Sequence, residues 1–152
     1  MKKYFYILIL IFLSQCGYSA LYDNKKSNDI SITIIQMQGD KKMNNLIKSQ
    51  LTNYINKDKD KDKNYEIEIN TKYNKSIISK DKKGVATEYK LITNANFKIY
   101  FEEREFNFSI EEKLNTKNSS NSFELKKYEQ IIKNNFAESI KEKLIFKLLT
   151  IK

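Results

Sequence analysis

The chain contains no His, no Pro and no Trp, and only one Cys and three Gly in 152 residues. Each scarcity excludes something. Without His, the commonest general base near neutral pH is missing, and so is every His-containing triad. A lone Cys16 cannot close an internal disulfide, and no Cys/His cluster can hold zinc. Gly17, Gly39 and Gly84 lie far apart, so there is no Gly-rich phosphate loop. Composition therefore argues against an enzyme, and no catalytic residue, metal or cofactor is expected. The charged fraction of 31% and the hydrophobic fraction of 40% are those of a folded protein. The length suits one domain. The net charge of +9 accompanies a Lys, Asn and Ile bias that can reflect base composition alone. No nucleic-acid partner is expected.

The first sixteen residues read MKKYFYILILIFLSQC. Lys2 and Lys3 form a positive leader, and Tyr4 to Leu13 is an apolar run. That run is too short for a comfortable membrane span, which takes ~20 residues, but suits a signal peptide. The alternative is a short membrane anchor. Leu13-Ser14-Gln15-Cys16 resembles a bacterial lipobox, although Gln15 replaces the usual small residue. The expected division is a signal peptide over 1–15, a lipidated tether over 16–29 and a single α+β domain over 30–152. Cys16 is the expected lipid attachment site. Acyl chains bury ~0.8 kcal/mol per CH₂, and several make a stable anchor.

Beyond the tether, the periodicity changes repeatedly. Ile30 to Met37 is rich in Ile and Thr and reads as a strand. Asp40 is a candidate N-cap for a helix over about 41–56, whose apolar face is Met43, Leu46, Ile47, Leu51, Tyr54 and Ile55. Lys57 to Lys63 alternates Lys and Asp. Its three Asp imitate the start of a calcium loop, but the Gly is missing and the lysines repel a cation, so a solvated linker is expected.

Tyr65, Ile67, Ile69 and Tyr73 alternate with polar residues, as do the apolar positions from Val85 to Phe101 and from Phe106 to Leu114. These three strands have connections too short for parallel crossovers and form an antiparallel meander. The middle run is long enough that a bend or bulge near Asn94-Ala95-Asn96 is expected. A closing helix over Phe123–Thr150 carries Leu125, Tyr128, Ile132, Phe136, Ile140, Leu144 and Leu148 along one face. The expected fold is α+β: strand, helix, three-stranded meander, helix, with both helices on one face of a mainly antiparallel four-stranded sheet.

Cys16-Gly17-Tyr18-Ser19-Ala20-Leu21-Tyr22 resembles the mature start of the LPS-assembly lipoprotein family LptE, in its alphaproteobacterial branch. Asp81 to Tyr89, Leu91 to Phe97 and Tyr128 to Leu144 are similar to that family's hairpin, strand and closing helix. Ala20 replaces the family's usual Pro, and Glu88 stands where Arg is common. The resemblance implies a non-enzymatic plug inside the LPS-translocating outer-membrane barrel LptD. It also implies binding of lipopolysaccharide and a lipid anchor in the outer membrane, facing the periplasm and the barrel lumen. The alternative is an unrelated envelope lipoprotein acting as a ligand-binding or interaction module.

Lys80, Lys82 and Lys83 in the hairpin turn are the candidate LPS-binding residues, since lysines bind phosphate as point charges. A merely solvated turn is the alternative. Glu102, Glu103 and Glu105 imitate a catalytic carboxylate pair but fall in a charged turn.

Overall fold

The structure is a computed structural model that describes residues 30–55, 63–119 and 121–151. The signal peptide, Cys16 and the tether lie outside the described residues, as does most of the Lys-Asp run.

Six elements follow in order: β1 (Ile30–Gly39), α1 (Lys41–Gln50), β2 (Lys63–Lys80), β3 (Ala86–Phe101), β4 (Arg104–Lys117) and α2 (Ser122–Thr150). The sheet order is β1-β2-β3-β4. The fold is α+β, as the periodicity predicts. β2, β3 and β4 form the antiparallel meander, while β1 runs parallel to β2, so the sheet is mixed. A parallel partner requires a crossover, and α1 provides it.

Both helices lie on one face. The side chains of Tyr65, Ile67, Ile69, Leu91, Ala95, Phe97 and Ile99 point to that face and are buried. Met43, Ile47 and Leu51 cover them from α1, and Ile132, Phe136, Ile140, Leu144 and Leu148 from α2. At ~25 cal/mol per Å² of apolar area, this one layer is the main source of stability. The Tyr65 hydroxyl donates to the Leu148 carbonyl at 2.9 Å, and the Lys63 ammonium to that of Ile151 at 3.0 Å, which pins the end of α2 over the start of β2.

Local signals explain the element ends. Asp40 caps α1, its carboxylate accepting from the Met43 amide at 2.8 Å. Gly39 has φ +90°, and a Cβ there would sit 1.8 Å from the Thr71 carbonyl oxygen, so no other residue fits. Asn121 caps α2 by accepting from Phe123 and Glu124. The β3–β4 hairpin turns on Glu102 and Glu103, at φ +47° and +62°. Both sit in the left-handed region a two-residue hairpin demands, at a cost that Gly or Asn would avoid.

Three local expectations need correction. Helix α1 stops at Gln50, not near residue 56. From Leu51 the chain tightens into turns, and the Tyr54 carbonyl accepts from the Ile32 amide at 2.8 Å, so pairing with β1 competes successfully with helix. β3 has no break at Asn94–Asn96; its pairing with both neighbours is continuous there. The irregularities lie instead in β1 at Ile34/Gln36 and in β2 between Ile77 and Lys80, at an edge and a rim. The 16-residue β3 spans ~53 Å and the 29-residue α2 ~43 Å, so the helix offers a cover of similar length. Tyr128 is 48% exposed, so the apolar face of α2 leaves the core before its first turns.

Candidate functional site

The end of the domain away from Ile30 and Ile151 is built by the β2–β3 hairpin, the last residues of β4 and the first turns of α2. The hairpin turn is organised by Asp81. Its carboxylate accepts from the amides of Lys83 at 2.8 Å and Val85 at 2.9 Å, and its own amide donates to the Val85 carbonyl at 2.9 Å. Gly84 takes φ +83° in open space. With Asp81 turned inward to the backbone, the turn presents Lys80, Lys82 and Lys83 to solvent. The structure therefore brings the three predicted lysines together on one exposed tip. They make no ion pair among the described residues.

The tip is not purely basic. Ile77, Ile78 and Val85 are 49%, 44% and 56% exposed beside the lysines. One row inward, the Asn118 side chain donates to the Ala86 carbonyl at 2.8 Å, and its amide donates to that of Thr87 at 2.7 Å. These bonds fix the β4–α2 connection against the hairpin. Between that connection and the first turns of α2 opens a groove of about 630 Å³, lined by Thr116, Leu125, Tyr128 and Ile131, with Lys117 and Lys127 at its sides. Sequence reasoning missed the groove. Its only local signal was the run of apolar residues at the start of α2, which read as core.

One turn on from Leu125, Glu129 ties α2 to β2. Its carboxylate accepts from the Tyr73 hydroxyl at 2.9 Å and pairs with Lys75 at 2.8 Å and Lys133 at 3.0 Å. Burial alone would push the carboxyl up, but the hydrogen bonds from Lys75, Lys133 and Tyr73 and the charge of Lys133 outweigh it and hold the group at about 2. Burial, then the bond to Glu129 and its charge, push the Tyr73 phenol up. The Lys133 ammonium also lies 3.8 Å from the Tyr73 ring centre, and that of Lys75 lies 4.5 Å from the Tyr89 ring. This network holds the start of the groove's helix in place.

The carboxylates of the β3–β4 turn lie in a different environment. Arg104 pairs with Glu102 at 3.2 Å, and Lys98 with Glu105 at 3.1 Å. The Asn107 amide donates to Glu105 at 2.8 Å, and that bond, with the one from Lys98, lowers its pKa. Glu102 and Glu105 are thus paired surface charges at the end of the sheet away from the β2–β3 hairpin. Ile92 and Tyr100, on the helix-free face, are half-buried, and the Tyr100 hydroxyl donates to Glu68 at 3.0 Å.

No protein-family model and no curated protein sequence matches this chain. Solved structures do share its fold. Rare lipoprotein B from Shewanella oneidensis superposes with a TM-score of 0.53 at 14% identity, over 74% of this chain and 91% of that one. A protein from Caulobacter crescentus CB15 described as a lipoprotein gives a TM-score of 0.53 at 10% identity, over 83% of this chain and 91% of that one. At such identities the likeness is one of fold, and that fold is the two-helix, four-strand layer described above.

Proposed function

We propose that this chain is a lipid-anchored envelope protein of the LptE type, a plug and assembly partner of the LPS-translocating barrel that helps insert lipopolysaccharide into the outer membrane. The observation that carries the reading is the coincidence of two independent features. The leader converges on Cys16 as a lipid attachment site, and the domain has the fold of two structures described as lipoproteins. The role needs no catalytic group. It needs an anchor, a rigid body and surfaces for a barrel and for a phosphate-bearing lipid. Lys80, Lys82 and Lys83, free of ion pairs among the described residues on the hairpin tip, are the proposed LPS contacts.

The test is extraction of the tagged full-length protein from outer membranes in mild detergent. A large β-barrel should co-purify in constant proportion. Recovery from the inner-membrane fraction, or from the outer membrane without a barrel, would refute the plug reading.

A further inference from the structure

The groove between the β4–α2 connection and the first turns of α2 is apolar where α2 lines it and cationic around it. Leu125, Tyr128 and Ile131 face it from one side of the helix, one turn apart. Tyr128 and Ile131 are 48% and 46% exposed, adjacent apolar surface on one flank of α2. Glu124 is the one acidic residue in its lining, against Lys117 and Lys127. Lys80 pairs with Ala86, whose carbonyl accepts from Asn118 at the groove's rim. At ~4.8 Å between strands, the hairpin lysines begin ~10 Å from that rim. None of these five lysines is paired among the described residues.

An apolar cleft of this volume lies in the range of small-ligand sites, typically ~300–1,000 Å³. Its chemistry selects a ligand with an apolar part and a polyanionic or phosphate part held close together. A neutral apolar ligand would leave the positive charge around the groove uncompensated, and a simple anion would leave the apolar helix face wet. We infer that this groove takes the acyl chain of a phosphate-bearing lipid, with Lys117 and Lys127 and the hairpin lysines meeting its headgroup. The inference rests on the envelope-lipoprotein reading and adds a place for the lipid chain; it does not depend on a barrel partner.

The test uses the full-length protein in phosphatidylcholine nanodiscs and a lysophosphatidic acid that carries a photoactivatable group on its acyl chain. After illumination and digestion, adducts should map to residues 114–131. Unlabelled lysophosphatidic acid should suppress them, while equal concentrations of lysophosphatidylcholine or glycerol 3-phosphate should not. Ile131→Glu places a charge in the groove at an exposed position and should lower labelling at least about tenfold with an unchanged melt. Tyr128→Glu serves as a second variant should the first fail to fold. Labelling retained in both variants, labelling spread over the whole surface, or equal competition by lysophosphatidylcholine would overturn the inference. Barrel co-purification by Ile131→Glu separates this site from the plug role, because loss of the groove alone leaves the barrel bound.

Discussion

Replacing Glu129 by Gln tests the idea that one carboxylate fastens the start of α2 to the sheet. The carboxylate meets Lys75, Lys133 and Tyr73 within 3.0 Å. The Lys133 side chain is only 11% exposed, and that of Glu129 20%. Gln keeps the shape and one acceptor but removes the charge, leaving a nearly buried ammonium without its counter-ion. Breaking a fully buried pair in this way costs ~3–5 kcal/mol, and partial exposure reduces it here to ~2–3 kcal/mol. In urea unfolding of the full-length protein in mild detergent, that loss should appear as a lower midpoint with an unchanged slope. Adding Lys133→Met removes the stranded charge, and the double variant should recover at least ~1 kcal/mol. The pH dependence has a definite sign. The folded carboxyl sits at about 2 against an unfolded value near ~4.3, so its stabilisation is complete above about pH 5 and is lost as pH falls toward 2. The gap between wild type and variant should therefore narrow over that window. A variant within ~0.5 kcal/mol of wild type at pH 7, or a gap that stays constant from pH 5 to pH 2, would refute the reasoning.

Phe136→Ala empties a core position that is 7% exposed and should cost ~3–5 kcal/mol, read as a steep drop in melting temperature; a melt that barely moves would show the pocket collapses without loss. Gly39→Ala drives a Cβ into the Thr71 carbonyl and should abolish the stable fold, measured by circular dichroism, because neither atom belongs to a flexible side chain. Cys16→Ser should release the protein from membranes or stop its processing, as fractionation and intact mass would show; unchanged association with the leader attached would favour a membrane anchor instead. The triple Lys80, Lys82 and Lys83→Gln variant should keep its melt but lose lipopolysaccharide binding at ~0.15 M salt, where non-specific attraction is largely screened. Equal binding by wild type and variant would remove the hairpin as a contact.

What was legible in the sequence is what depends on local geometry. Two-residue alternation assigned the three antiparallel strands and the facing of Phe97, Ile99 and Phe101, because side chains on a strand have no other choice of face. Asp40 announced its helix because a cap acts over three residues, and its carboxylate does accept from Met43. The lysines of the hairpin were legible as a cluster for the same reason. The tertiary structure decided whatever depends on distant partners. α1 ends at Gln50 because Tyr54 finds β1, a competition that no helical periodicity records. β3 keeps its pairing with both neighbours unbroken through Asn94–Asn96, which its length alone did not foretell. Nothing local marks Glu129, whose partners Tyr73 and Lys75 lie 56 and 54 residues away. The groove belongs to the same class. Leu125 and Tyr128 share the periodicity of the core positions, and only the path of α2 past the end of β4 decides that they line an open cleft with Ile131, since periodicity fixes which residues share a face and not what covers it.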